Sequence, residues 1–112
     1  MECLFCKIVS GQIPAKKMYE DETVFAFQDI DPQAPTHVLV IPKQHIVGLK
    51  EAQPQDAELL GRMQLAAARI AEAQNLESGY RTVFNVGPNA GQTVFHLHLH
   101  LLGGRKMGWP PG

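Results

Sequence analysis

The chain is poor in several features that mark particular classes of protein. Its 112 residues include only two cysteines and one tryptophan. Cys3 and Cys6 stand three positions apart, which provides no disulfide framework and suits a reducing compartment. We therefore expect a cytoplasmic protein. The first residues lack a basic segment followed by a long apolar run, and no apolar stretch approaches bilayer-spanning length, so we expect no membrane partner.

An excess of charge of either sign is also missing. Ten lysines and arginines face eleven aspartates and glutamates, which gives a formal net charge of −1. Without a basic run, the sequence offers no footprint for a polyanion, and we expect no nucleic acid partner. The length suffices for one ordinary hydrophobic core but not for two, so residues 1–112 are predicted to form a single domain.

The apolar pattern predicts an α+β fold with a mostly antiparallel five-stranded sheet, one main helix and a short N-terminal helix. The short helix covers residues 3–9 and stops before Gly11. Alternation predicts strands over 16–19, 23–28, 36–41, 80–86 and 92–102, and residues 103–112 form an irregular tail. From Pro54 onward, one helical stripe contains Leu59, Met63, Ala66, Ala67, Ile70 and Ala73.

Three histidines alternate along the last predicted strand. The strand period of two places its apolar residues on one face, which must be core, and its histidines on the other, about 6.5–7 Å apart. A histidine ring is mostly neutral at pH 7 and can act as acid, base or nucleophile. The apolar set is Phe95, Leu97, Leu99 and Leu101, and the histidines are His96, His98 and His100.

Four interpretations of this row compete. The histidines can form a solvated polar face, although strict triplets are rarer than single surface histidines. They can ligate zinc with an open catalytic position, but no extra carboxylate ligand or base is evident close by. A neutral imidazole can instead attack phosphorus, because phosphate oxygens repel it less than they repel a carboxylate. Finally, the same pocket can hold a nucleotide without turning it over, as a sensing or interaction module.

The loop before the row carries groups that suit an anion. Gly87 and Gly91 allow close approach of the backbone, while Gln92 and Thr93 offer amide and hydroxyl donors. Taken alone, the segment 87–91 is equally an ordinary hairpin connection. Its position directly before the histidines favours a phosphate site and therefore attack on phosphorus.

The segment His96-Leu97-His98-Leu99-His100-Leu101-Leu102 resembles the His-x-His-x-His-x-x signature of the histidine triad (HIT) superfamily. Segments 25–30, 32–37, 41–45, 91–94 and 104–112 resemble its histidine triad nucleotide-binding (Hint) branch, so the resemblance covers nearly the whole chain. It implies a HIT fold and a purine nucleoside phosphoramidase that acts on P–N bonds, and on acyl-adenylates as a further class, through a covalent nucleotidyl-histidine intermediate.

The resemblance also implies individual roles. His98 is the nucleophile, His96 and His100 flank the phosphate, and His37 joins the polar network. We expect the ring nitrogen of His98 that does not attack to donate to a fixed acceptor such as a backbone carbonyl. The α-phosphate or leaving group would meet Asn85, Gly91, Gln92 and Thr93; Asp29 would hold the ribose; and the base pocket would comprise Leu4, Phe5, Ile8, Phe27 and Ile30.

Two departures and one addition stand out against the Hint pattern. Thr93 stands where serine is common, and Gly108 replaces a histidine common before Trp109. The Cys3-x-x-Cys6 pair resembles one that other HIT relatives use, with two histidines, to bind zinc. That resemblance implies a structural zinc on Cys3, Cys6, His45 and His96, with no cofactor required for the chemistry.

The resemblance further implies a homodimer in which paired sheets become continuous. The alanine-rich helix stripe and the exposed sheet of so small a domain favour the same association. In that arrangement the tail, residues 103–112, reaches towards the partner, and Trp109 approaches the partner's site.

Overall fold

A computed structural model describes residues 3–112. Along the chain the regular elements are α1 (Leu4–Val9), β1 (Lys17–Glu20), β2 (Val24–Gln28), β3 (Thr36–Pro42), α2 (Ala57–Ala73), β4 (Tyr80–Val83) and β5 (Leu99–Gly103). Single 3₁₀ turns occupy Leu49–Glu51, Pro54–Asp56 and Pro88–Ala90. The predicted α+β class, with one main helix and a short N-terminal one, is confirmed.

The five strands form one sheet in the order β1-β2-β3-β5-β4, and every neighbouring pair is antiparallel. β3 lies at the centre and is buried from His37 to Pro42, as its β-branched composition predicts. The strands β1 and β4 are the two edges. Within residues 3–112, no helix combines the length and apolarity needed to cross a membrane.

The two faces of the sheet carry different helices, and the strand period of two decides which residues meet each one. One face packs under α2, with Val24, Val38, Val40, Leu99 and Leu101. The opposite face packs under α1, with Phe25, Phe27, Leu39 and Ile41. Because Leu39 stands opposite His100 in the ladder, both lie on the α1 face, as does His37, two residues before Leu39. The fold therefore brings these histidines under the short helix.

The predicted stripe of α2 is largely confirmed. Met63, Ala66, Ala67 and Ile70 are buried, and Leu59 packs partly buried against the same core. Ala73 is exposed, because it is the last residue of the helix, and Ala71 is buried instead. The first turn after Pro54 is a 3₁₀ turn, closed by a capping box between Gln53 and Asp56.

The last predicted strand is wrong over most of its length. Pairing of β5 begins at Leu99, and residues 92–98 have no ladder. β4 stops at Val83, opposite His100, rather than at Val86, and β3 pairs with β5 only as far as Val40, although it continues to Pro42 beside β2. Phe95, predicted to be core, is 48% exposed, whereas Leu97 is 2% exposed and bonds its N–H to the Ile46 carbonyl.

Candidate functional site

A cavity of about 820 Å³ opens on the α1 face of the sheet. Its walls come from α1, from the 13–16 segment, from the ends of β2 and β3, and from residues around the histidine row. One side is apolar and the other carries ionisable groups. The predicted site residues on its wall are Leu4, Phe5, Ile8, Phe27, Asp29, Ile30, His37, Thr93, His98 and His100.

The ring of His98 is fixed by a backbone carbonyl. Its Nδ1 lies 2.7 Å from the oxygen of His96, so Nδ1 carries the hydrogen and donates. The expected backbone acceptor is therefore confirmed. Nε2 of the neutral ring is left with its lone pair, and the ring lines the cavity. Phe5 meets the ring edge-on, with the centroids 5.2 Å apart, and blocks it from turning towards α1.

A chain of hydrogen bonds sets the tautomers of His37 and His100. The backbone N–H of Gln33 donates to Nδ1 of His37 at 3.0 Å, so the hydrogen of the neutral His37 ring must be on Nε2. That Nε2 lies 2.9 Å from Nδ1 of His100, which must accept. His100 then carries its hydrogen on Nε2, beside Asn85.

Burial keeps the rings of His37 and His100 neutral. It lowers the pKa of His37 in spite of the nearby carboxylates of Asp29 and Asp31. It also lowers the pKa of His100 to about 4, with the His98 and His37 rings acting in the same direction. Nδ2 of Asn85 is 3.5 Å from Nε2 of His100, the longest contact of the chain, so we expect the amide oxygen to face that N–H instead.

Asp29 stands at the junction of the polar wall. Its Oδ2 is 3.4 Å from Nε2 of His37, and its Oδ1 accepts the N–H of Asp31 at 2.8 Å. The carboxylate is thus held at the rim of the cavity, where it can accept hydrogen bonds from hydroxyl groups of a ligand. Ile30 beside it lines the rim but is fully exposed, so any contact it makes with a ligand is from the outside.

A second cluster lies at the N-terminal end of α1 and consists of Cys3, Cys6, His45 and His96. Nδ1 of His96 is 3.3 Å from Sγ of Cys3, 3.5 Å from Sγ of Cys6 and 3.2 Å from Nδ1 of His45. Tetrahedral zinc with ordinary bond lengths separates its nitrogen and sulfur ligands by roughly 3.3–3.8 Å. The four side chains are therefore spaced as a closed N/S site requires.

Hydrogen bonding and charge in this cluster also suit a cation. Nε2 of His96 lies 2.8 Å from the Pro42 carbonyl and donates to it, which turns the Nδ1 lone pair towards the cysteines. Burial lowers the pKa of His96, so this lone pair is not protonated. Burial and the adjacent Cys3 raise the pKa of Cys6, so a second thiolate is costly unless a metal compensates it.

Asp29, His37 and His100 form another group with metal-binding atoms close together, but their hydrogen bonds argue against a metal. A neutral histidine that binds a metal through Nε2 has its hydrogen on Nδ1. In His37, Nδ1 instead accepts the Gln33 N–H, and the hydrogen of the ring lies on Nε2. A metal at Nε2 would have to displace that hydrogen and would leave Nδ1 facing another donor. Neither metal-capable group among residues 3–112 includes His98, so the three-histidine metal site is not formed.

The loop before the row is arranged differently from the expectation. Gln92 is buried, and its side chain accepts from Gly87 and donates to the carbonyls of Val47 and Val94. It therefore holds the loop together instead of facing the cavity. Thr93 does line the cavity and is exposed, while Gly91, at φ 94°, ends the turn in a conformation that favours glycine.

The remaining predicted residues lie outside the cavity. His96 has both ring nitrogens engaged away from it, so it can only flank the nucleophile through its carbonyl. Trp109 is 84% exposed on the tail, which is tied to β4 by a bond from Arg81 to the Gly108 carbonyl. Within this chain Trp109 does not line the cavity.

Two functional positions had no signal in the sequence. Gln33 and Pro42 act through a backbone N–H and a backbone carbonyl, which nearly every residue possesses. For Gln33, the prolines at 32 and 35 predict an irregular segment but not the direction of its N–H. Further wall residues that the sequence did not single out are Ile13, Pro14, Ala15, Lys16, Leu39 and Val94.

Known proteins resemble the chain over nearly its whole length. A HIT family hydrolase from Legionella pneumophila is 54% identical, with a TM-score of 0.97 over 99% of this chain and 100% of that one. A 14 kDa zinc-binding protein from Zea mays is 50% identical, with 97% of this chain and 87% of that protein covered. A histidine triad nucleotide-binding protein from Candida albicans is 32% identical, with a TM-score of 0.83 over 99% of this chain and 85% of that one.

The five-stranded sheet, the buried histidine row and these similarities lead to one family. The HIT domain family matches residues 10–107, which is most of the sequence. The chain belongs to the HIT domain family.

Proposed function

We propose that this protein is a Hint-type hydrolase that cleaves purine nucleoside 5′-phosphoramidates, and acyl-adenylates as a further class, to the nucleoside monophosphate. The observation that carries the proposal is the hydrogen bond from Nδ1 of His98 to the His96 carbonyl. It presents an unprotonated Nε2 to the cavity, as a nucleophile towards phosphorus requires. The hydrolase and nucleotide-binding relatives support the same reaction class.

The cavity wall carries groups that suit each part of a nucleotide. Its apolar side, with Leu4, Phe5, Ile8 and Phe27, suits the faces of a purine base. Asp29 at the rim suits the ribose hydroxyls. Thr93, His98 and His100 share the remaining wall and suit the α-phosphate, which then lies within reach of the nucleophile. The volume of about 820 Å³ leaves room for a leaving group.

In the proposed reaction, Nε2 of His98 forms a bond to phosphorus and the P–N bond breaks. The bonding electrons go to the leaving nitrogen, which takes up a proton and departs as an amine. The imidazolium-like adduct is stabilised because its Nδ1–H already points at a carbonyl oxygen. Water then attacks the adduct, which releases the monophosphate and restores the neutral ring of His98.

The hydrogen-bond chain indicates which ring supplies a donor. His37 uses both nitrogens on Gln33 and His100, so it is not free to protonate the leaving group. The Nε2–H of His100 has only the long contact of 3.5 Å with the Asn85 amide, and we assign this hydrogen to the phosphoryl oxygens, which would share it with Asn85 as negative charge grows during attack. We therefore expect solvent to protonate the leaving nitrogen, so that this nitrogen already carries the extra proton when the P–N bond breaks and departs as a neutral amine.

Replacing His98 with alanine tests the nucleophile. We expect turnover to fall by on the order of 10⁴, because the attacking atom is gone, while the affinity for the monophosphate changes little. Rapid-quench mass spectrometry of the native protein should show one added nucleotidyl group. His98→Gly with added imidazole is the control, and it should recover activity. Hydrolysis that survives His98→Ala but not chelation would instead establish a metal-hydroxide mechanism, and tight binding without turnover a nucleotide-binding module.

The tautomers give a prediction that does not involve turnover. In ¹⁵N-labelled protein at pH 7, we expect the hydrogen of His98 on Nδ1 and that of His100 on Nε2. Because the pKa of His100 is lowered to about 4, its ring should stay neutral as the pH falls to 5, where a free histidine is mostly protonated. Long-range ¹H–¹⁵N spectra over pH 5–8 measure both. Protonation of His100 near pH 6.5 would contradict the buried donor chain.

We further propose that Cys3, Cys6, His45 and His96 hold a structural zinc ion. The spacing of their ligand atoms supports this, and so does the Nδ1 lone pair of His96, which faces the cysteines. The zinc-binding relative supports it as well. Zinc there would supply folding energy and stiffen the N-terminal segment, and it would take no part in the chemistry at phosphorus.

Metal analysis of protein purified without chelator tests the zinc site. We expect close to one equivalent of zinc per chain, and less than half an equivalent in Cys6→Ser, because three ligands hold zinc weakly. The matched control is His37→Gln, which alters the other metal-capable group and should retain the zinc. Loss of zinc in His37→Gln with retention in Cys6→Ser would reverse the assignment.

We also propose that two copies form a homodimer through the β4 edge. β4 pairs with β5 on one side only; Tyr80, its first residue, and Val86, three residues past its end, are 43% and 38% exposed. An open edge flanked by apolar side chains is a template for pairing with another strand. The tail lies beside this edge, because the Arg81 side chain of β4 donates to the Gly108 carbonyl, so Trp109 would lie near the partner chain.

Light scattering tests the dimer. At about 50 μM we expect a mass twice the 12.4 kDa of one chain. Trp109→Ala should leave that mass unchanged if the strand edge dominates the association. A single-chain mass across the micromolar range would contradict the proposal.

A further inference from the structure

The short helix α1 takes part in both clusters of the molecule. Cys3, its N-cap, and Cys6, in its first turn, direct their sulfurs to His96 and His45. Leu4, Phe5 and Ile8 of the same helix line the proposed nucleotide cavity. Two of the four metal-ligand side chains and three residues of the base wall thus lie within residues 3–8, on one short helix and its N-cap.

This helix has few ways of holding its position. A helix of six residues is not stable by itself in water, because nucleation costs more than so few hydrogen bonds return. In the described part of the chain, its backbone bonds are local, such as Ser10 N–H to the Cys6 carbonyl and Gln12 N–H to the Lys7 carbonyl. Among the described residues, the packing of Phe5, Ile8 and Val9 and the contacts of the two cysteines hold it against the sheet.

The other half of the ligand group comes from the sheet side, and His96 is its anchored member. His96 is fully buried, and its Nε2 is bonded to the Pro42 carbonyl at the end of the central strand. His45 follows three residues later in the chain, and its Nδ1 lies 3.4 Å from Sγ of Cys6. An ion bound by all four side chains would therefore connect α1, which is too short to be stable alone, to the sheet.

A second connection runs through His96 and Phe5. His96 offers its ring to the cluster and its carbonyl to Nδ1 of His98, so a shift of His96 moves the nucleophile. Phe5, between the two cysteines, meets the rings of His96 and His98 edge-on, with centroids 5.9 and 5.2 Å apart. A change in the position of α1 would thus alter both the orientation of His98 and the shape of the base wall.

We propose that Cys3, Cys6 and His45 are positioning residues of the nucleotide pocket, and that metal and nucleotide bind with positive coupling. The inference rests on the nucleotide site proposed above. Both ligands favour the state in which α1 is docked on the sheet, so each lowers the cost of docking for the other. Since coupling between two sites is reciprocal, each must raise the affinity for the other by the same factor, which we expect to be on the order of 10.

Calorimetry with AMP measures one direction of the coupling. Under reducing conditions, the metal-loaded protein should bind AMP about tenfold more tightly than the stripped protein. Cys6→Ser should bind AMP as weakly as the stripped protein and should not respond to added zinc. Ser10→Ala, a change at the exposed end of α1, is the control and should keep the full response.

A chelator competition, started from the loaded protein, measures the other direction without requiring the stripped chain to stay folded. Saturating AMP should raise the equilibrium affinity for zinc by the same factor of about ten, so that more chelator is needed to remove half of the metal. Amide exchange across residues 4–9 should be slowest with both ligands present. AMP affinity that is equal with and without zinc, or zinc affinity indifferent to AMP, overturns the coupling. Absence of any AMP binding to the loaded protein instead overturns the nucleotide site on which it rests.

Discussion

The hydrogen bond from Nε2 of His96 to the Pro42 carbonyl orders much of the site. By taking the hydrogen on Nε2, it leaves the Nδ1 lone pair facing Cys3 and Cys6, which is the tautomer that a metal ligand needs. It also fixes the chain at His96, whose own carbonyl receives the Nδ1–H of His98. One backbone acceptor at the end of the central strand thus sets the direction of two rings with different roles.

The same reasoning separates two groups that composition alone does not distinguish. Each contains two histidines and further ligand atoms within 4.8 Å of one another. In one, a backbone carbonyl accepts from His96 and leaves a lone pair for a cation. In the other, a backbone N–H donates to His37 and forces its second nitrogen to donate to His100. An acceptor behind the ring favours metal binding, whereas a donor behind the ring favours a relay of hydrogen bonds.

Side-chain periodicity predicts the fold class, the central strand and the buried face of α2, because burial of an alternating or helical stripe is a property of the sequence itself. It also predicts that His98 and His100 share one face, and the family resemblance adds His37; all three line the cavity. It does not predict that Gln92 turns inward to bond the loop, or that Gln33 and Pro42 set the tautomers. Those bonds depend on which backbone groups stay unpaired after the sheet has formed, and no residue type marks them.

The part of the predicted last strand that does not form determines the environments of the three histidines. A regular strand over residues 92–102 would direct the carbonyls of 96 and 98 into the ladder and would place three equivalent rings in a row. Because pairing starts only at Leu99, the His96 carbonyl is free to accept from His98, and the His96 ring turns to the cysteines. His100, inside the ladder opposite Leu39, instead meets the ring of His37, which lies two residues before Leu39 on β3. The irregular stretch is what gives three alternate histidines three different environments.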